Sequence, residues 1–212
     1  MQETKPFNIS KHAVYEAFLK VKANRGTYGV DEQSIMDYEE NLKKNLYKLW
    51  NRMSSGSYIP RPIKAVTIPK KNGGTRMLGI PTVEDRVAQM VAKLYFEPTV
   101  EPLFYDDSYG YRPNKSAIQA IEATRKRCWR KDWVLEFDIK GLFDNIRHDY
   151  LIEMVKRHTN ETWVTLYVER WLTTPFQMED GTLVLRTSGT PQGRPPKKGF
   201  SKRGYVLYNR DK

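Results

Sequence analysis

The sequence predicts an α+β fold, and three observations carry that prediction. Two N-terminal stretches repeat apolar residues at helical spacing. An Asn-Gly turn joins two extended runs near residue 72. A run near residue 135 alternates apolar and polar side chains with the period of a strand.

Residues 11–24 place Val14, Phe18 and Val21 at intervals of three and four, which predicts a helix. Leu42, Leu46, Leu49 and Met53 predict a stronger second one. Between them, Asn24-Arg25-Gly26-Thr27-Tyr28-Gly29-Val30-Asp31 carries two glycines and no apolar period, the pattern of a loop. Gly56, Pro60 and Pro62 close this helical region. Residues 63–69 read as a strand, Lys71-Asn72-Gly73-Gly74 as a tight turn and residues 76–80 as the returning strand. Thr82-Val83-Glu84-Asp85 resembles a capping box, and Val87, Val91 and Leu94 continue a helix expected to end at Pro98. Residues 103–115 read as a loop, and a helix is expected from about Ser116 to Lys126. Residues 133–139 predict a strand, with Trp133, Leu135, Phe137 and Ile139 on one face and Val134, Glu136 and Asp138 on the other. Helices are expected near 148–158 and 161–172. Residues 176–178 and 183–185 flank Asp180-Gly181 as a second hairpin. The chain then reaches Ser188-Gly189-Thr190-Pro191-Gln192-Gly193, beyond which no period is visible.

The 212 residues are 39% hydrophobic and 29% charged, a globular balance. A single cysteine, Cys128, excludes an internal disulfide and a cysteine-built zinc site. No apolar run has the length of a membrane span and residues 1–10 lack a signal-peptide core, so the expected setting is the cytoplasm, without membrane contact. The net charge of +11 favours a polyanion, most simply nucleic acid. Residues 194–212 hold seven Lys/Arg and one Asp, so this stretch supplies +6 and the preceding 193 residues only +5.

Several residues could carry chemistry. Asp138 ends a strand, where a carboxylate is held firmly enough to bind magnesium, or merely to cap a turn. Phe143 could press on a nucleotide sugar or fill a core, and Asp144 could cap a helix over 145–158. Lys70 and Arg76 stand at opposite ends of the Asn-Gly hairpin, close enough to grip one triphosphate, or they are ordinary surface charges. Gln192, in a glycine-bounded turn, could bond a nucleotide or simply shape the turn. The loop of Arg25, Gly26, Thr27 and Gly29 offers N–H groups, a hydroxyl and a cation to a phosphate backbone. Lys126, Arg127, Arg130 and Lys131 form a basic cluster, either a nucleic-acid path or a solvated helix end. Tyr109, Tyr111 and Arg112 could contact a template or pack.

The order of these segments is more specific than any one of them. Asn24-Arg25-Gly26 through Asp31, Gly56-Ser57-Tyr58, Ile68-Pro69-Lys70, the run from Gly74 to Val83, and Asp85-Arg86-Val87 come first. Ser108 through Pro113, Phe137-Asp138-Ile139-Lys140 with Phe143-Asp144, and Ser188 through Gly193 follow. Together, across roughly residues 10–193, the chain resembles the reverse transcriptases encoded by group II introns. The resemblance implies a right-hand polymerase: a helical N-terminal extension over 1–60, fingers over 61–128 and an incomplete palm over 129–193. Residues 194–212 form a basic tail foreign to the pattern. It implies RNA-directed DNA polymerase activity with RNA template, DNA primer and deoxynucleoside triphosphates, and two Mg2+ ions held by Asp138 beside the backbone of Ile139. Lys70, Arg76, Phe143 and Gln192 would hold the incoming nucleotide. The 25–30 loop would lie on the template–primer backbone, and the N-terminal region and fingers would also bind the host intron RNA, as in a maturase.

The chain departs from that pattern after Gln192. No Tyr-x-Asp-Asp occurs, and Tyr105-Asp106-Asp107 stands upstream in another context. The expectation is a chain truncated before the other catalytic aspartates and inactive alone, from a frameshifted or interrupted gene. The alternatives are a non-catalytic RNA-binding fragment, a remnant without function, and a retron-type or other bacterial reverse transcriptase.

Overall fold

The computed structural model describes residues 5–69, 73–137, 139, 141–191 and, for the backbone, 204–206. In chain order the helices are α1 (Lys11–Asn24), α2 (Ile35–Glu40), α3 (Leu42–Ser54), α4 (Val83–Val100), α5 (Ala117–Cys128), α6 (Leu142–Asn145), α7 (His148–His158) and α8 (Thr162–Thr173). The strands are β1 (Ile63–Pro69), β2 (Thr75–Ile80), β3 (Leu135–Phe137), β4 (Phe176–Gln177), β5 (Leu183–Val184) and β6 (Gly204–Val206). The chain divides into two compact units, one of residues 1–99 and 143–194, the other of residues 100–142 and 195–212.

In the first unit the predicted periodicities become a helical core. Val14, Ala17, Phe18 and Val21 of α1 are buried with Leu49 and Met53 of α3 and Val87 and Val91 of α4. Trp163, Val164 and Tyr167 of α8 enter the same core from more than a hundred residues along the chain. Aromatic edges lock it: the rings of Tyr58 and Tyr167 stand 5.4 Å apart and those of Tyr95 and Trp163 5.1 Å, both edge-on. The buried Tyr167 hydroxyl donates to the Met53 carbonyl at 2.6 Å, and burial pushes its pKa up to about 12.

The periodic reading passes over α2, because only Tyr38 of its six residues is buried. Its signal is a cap: Asp37 N donates to Ser34 Oγ at 3.2 Å and Ser34 N to the Asp37 carboxylate at 2.8 Å. Pro98 does not end α4, which runs on to Val100. A proline in the last turn removes a single backbone bond, and the Thr99 hydroxyl donates to the Phe96 carbonyl at 2.7 Å nearby. Asp144 lies within α6, and the cap position of α7 is Arg147, so Asp144 does not start that helix.

The same unit holds a four-stranded sheet in the order β2-β1-β4-β5, with its own small buried cluster of Ile63, Ala65 and Phe176. The Asn-Gly hairpin pairs as expected, with Ile68 opposite Arg76 and Pro69 opposite Thr75. The second hairpin pairs β4 with β5 and adds to β1 in parallel, Ile63 opposite Phe176.

In the second unit no described side chain is buried. Ser116 and Gln119 close a capping box at the start of α5. The strand expected over 133–139 is only three residues long. Trp133, Leu135, Phe137 and Ile139 are 69%, 43%, 61% and 69% exposed. Alternation specifies which face can be buried, but nothing among the described residues covers it. β6, in a stretch read as lacking regular structure, pairs antiparallel with β3.

Candidate nucleotide and nucleic-acid site

Three segments of the first unit, α6, the Gly189–Pro191 turn and β2, converge through two glycines. At Gly189 (φ +78°) a Cβ would stand 2.7 Å from the Asp144 carbonyl oxygen and 2.8 Å from that of Phe143. Backbone bonds fix this approach: Gly189 N donates to Ile146 O at 2.8 Å and Thr190 N to Phe143 O at 2.7 Å. His148 Nε2 lies 2.8 Å from Gly189 O. The half-buried Phe143 is thus tied to the turn that leads into Gln192. Gly79 of β2 makes the second approach, where a Cβ would stand 2.8 Å from Phe176 and 2.9 Å from Pro191. Lacking a side chain, Gly79 lets the Gly189–Pro191 turn rest on the strand that also carries Arg76. Arg76 is half-buried, and its buried Nε has no partner among the described residues. Lys70, Asp138 and Gln192 lie outside the described residues.

The 25–29 loop is fastened to the start of α4. Arg86, half-buried, donates through Nη2 to the Thr27 carbonyl at 2.7 Å and through Nη1 to that of Arg25 at 3.5 Å. Burial holds its pKa below the ordinary arginine value, opposed by the charge of Asp31. Gly29 is buried, where a Cβ would stand 2.7 Å from Thr82 N. Arg25, Gly26 and Thr27 remain exposed. The anchor of α4 is Asp85, which is 2% exposed. Its carboxylate accepts from Thr82 Oγ1 at 2.6 Å, from Arg61 N at 3.4 Å and from the Tyr58 hydroxyl. Burial raises the Asp85 pKa despite these bonds. Tyr58 and Asp85 belong to motifs noticed in the sequence, but their meeting was not legible there.

In the second unit Arg112 faces inward. Its guanidinium bonds Glu101 at 2.9 and 2.8 Å and the carbonyls of Tyr105 and Ser108 at 2.6 and 3.0 Å. Those contacts organise the 101–112 loop. Lys126, Arg127 and Arg130 line an open depression with Gln119, Glu122 and Ala123 on α5 and just beyond. Arg127 is paired with Asp107 at 2.7 Å, a contact that lowers the Asp107 pKa and raises that of Arg127. Lys126 and Arg130 are exposed, as is Ile139. No group of three or more His, Cys, Asp or Glu able to hold a metal is found among the described residues. None of the described helices is long and apolar enough to cross a membrane.

The chain is similar to several proteins, some of them named for introns. It is 32% identical over 183 residues to the group II intron-encoded protein LtrA of Lactococcus lactis subsp. cremoris, covering 84% of this chain and 30% of that protein. It is 33% identical over 174 residues to protein YkfC of Escherichia coli (strain K12), covering 79% and 45%. It is 31% identical over 148 residues to the putative COX1/OXI3 intron 1 protein of Saccharomyces cerevisiae, covering 70% and 18%. The chain therefore spans less than half of each of these relatives. Its fold is similar to a chain of a Cas6-RT-Cas1–Cas2 complex, with a TM-score of 0.52 and 23% identity over 88% of this chain and 19% of the other. Residues 68–196, which include β2, the β4–β5 hairpin and the Gly189–Pro191 turn, match the reverse transcriptase (RNA-dependent DNA polymerase) family. That span is more than half of the chain, which therefore belongs to that family.

Proposed function

We propose that the chain supplies the nucleotide-holding side of an RNA-directed DNA polymerase of group II intron type. The observation that carries this reading is the convergence of Phe143, the Gly189–Pro191 turn and Gly79 in one unit. In it, Lys70 and Arg76 grip the triphosphate of a deoxynucleotide, Phe143 abuts the sugar and Gln192 bonds the nucleotide. RNA template and DNA primer lie along Arg25, Gly26 and Thr27, with further backbone contacts from Lys126 and Arg130. Asp138, beside the backbone of Ile139, supplies one carboxylate to a two-Mg2+ site. The regions 1–60, 61–128 and 129–193 act as extension, fingers and partial palm. Without a Tyr-x-Asp-Asp sequence, these 212 residues do not complete that site and by themselves do not polymerise.

Two measurements test this. A fluorescent deoxynucleoside triphosphate should bind the chain and lose about tenfold in affinity in Arg76→Ala, since a charged phosphate contact is worth roughly one to a few kcal/mol. Equal binding by the variant sinks the nucleotide assignment. Primer extension with Mg2+ should yield no product. Product that vanishes in Asp138→Ala would overturn the inactivity.

A second activity of the same chain, binding of host intron RNA, is favoured by exposed cations on the N-terminal helices that have no acidic partner among the described residues. It should weaken steeply as salt is raised.

A further inference from the structure

Lys5, Lys11 and α3 build a cationic surface with no acidic partner among the described residues. Lys5 Nζ lies 3.4 Å from the centroid of the Trp50 ring, and Lys11 Nζ lies 4.3 Å from the same centroid. Lys11 also lies 5.6 Å from the ring of Tyr47, which is 59% exposed. Two ammonium groups on one indole repel each other, and the ring's attraction for each is only about 0.5–1 kcal/mol at an exposed site. The pKa of Lys5 is lowered, first by desolvation and then by Lys11. The platform is rigid: Trp50 Nε1 donates to the Ile9 carbonyl at 2.7 Å, and Lys5 is fixed by donating to the Asn51 side chain. Lys43, Lys44 and Lys48 extend the exposed face of α3, a helix with no acidic residue. Among the described residues, none of these five lysines takes part in an ion pair.

Two ammoniums on one indole with no counter-charge among the described residues can be satisfied together by one anion with several oxygens. A phosphodiester fits, because each Nζ can donate to a separate oxygen while the indole supports the lysine stems. We propose that Lys5 and Lys11, converging on Trp50, form a phosphate clasp that takes a backbone phosphate of RNA, with Tyr47 beside it as a platform for an unstacked base. The clasp uses none of the residues assigned to the nucleotide side. Its RNA occupant rests on the reading of the chain as an intron-RNA binder.

The test uses the full chain and two probes. The first is a fluorescein-labelled RNA stem-loop with a single-stranded flank, titrated at several salt concentrations. The double variant Lys5→Gln/Lys11→Gln should lose about tenfold in affinity and reduce the salt slope by about two. Lys93→Gln/Lys156→Gln, with the same charge loss elsewhere on the surface, should change both far less. The second probe is inorganic tripolyphosphate, followed through the lysine side-chain NMR signals of Lys5 and Lys11, which should shift first among the lysines. Equal RNA affinity and slope in the two double variants would overturn the clasp while leaving RNA binding intact. Tripolyphosphate shifts at Lys5 and Lys11 without any RNA binding would uphold the clasp and sink the RNA reading. Absence of both responses would sink the clasp outright.

Discussion

Asp85 shows how one side chain can hold distant segments together. Its carboxylate joins Tyr58, Arg61 and Thr82, and so ties the end of the N-terminal helical region to the first turn of α4. Because burial raises its folded pKa above the unfolded value, the folded state holds the proton more tightly. The contribution of Asp85 is therefore greatest below the ordinary carboxylate range and falls as pH rises through the folded pKa. Urea unfolding of the chain and of Asp85→Asn should show that pH-dependent difference, and parallel curves for the two proteins would refute it. Gly29 is the second residue whose role is set by contact. With Thr82 N 2.7 Å from its would-be Cβ, Gly29→Ala should destabilise by about 1–3 kcal/mol and loosen the Arg25–Thr27 loop, measurable by denaturant midpoint and proteolysis at Arg25. The sequence marked Gly29 as one of a loop's two glycines. The neighbour that demands a glycine lies more than fifty residues away, so local pattern could not name it.

At the scale of elements, the predicted strands β1 and β2 pair as a hairpin because turn chemistry and flanking strand residues act over a few positions. The helices α1, α3, α7 and α8 were legible for the same reason, since their apolar spacing is written within one segment. α2 was not, because its order comes from the Ser34–Asp37 cap rather than from periodicity. The parallel joining of β4 to β1 was also illegible, since two paired residues leave no pattern that names a partner. Gly79 makes that junction possible. Gly79→Ala should push Ile63, Phe176 and Pro191 away, displace the turn before Gln192 and lower nucleotide affinity more than it lowers global stability. Nucleotide titration beside urea unfolding separates the two effects, and unchanged affinity would mean that the turn is positioned by other contacts.

For the whole molecule, the two units differ in how their stability is built. The first buries aromatic and aliphatic side chains from α1, α3, α4 and α8 in one cluster. The second buries none of its described side chains and depends on local devices such as the Ser116 capping box and the Arg112–Glu101 contacts. Opening free energy follows buried contacts, so amides of α1, α3, α4 and α8 should exchange slowly and those of α5 within the range of local opening. Comparable protection in α5 and α4 would contradict this.

By itself the sequence determined the helical periodicities, the Asn-Gly hairpin and an ordered series of motifs specific enough to indicate the family. These are short-range properties, set by side-chain spacing and turn chemistry along the chain. Only the tertiary structure decided which motifs meet. It tied Phe143 to Gly189 and turned Arg112 onto Glu101. It also set Arg86 beneath the Arg25–Thr27 loop and drew two lysines onto Trp50. Those contacts join residues from eleven to more than fifty positions apart, and most are chosen by what the core can bury and which donors remain to be satisfied, a balance no local pattern contains.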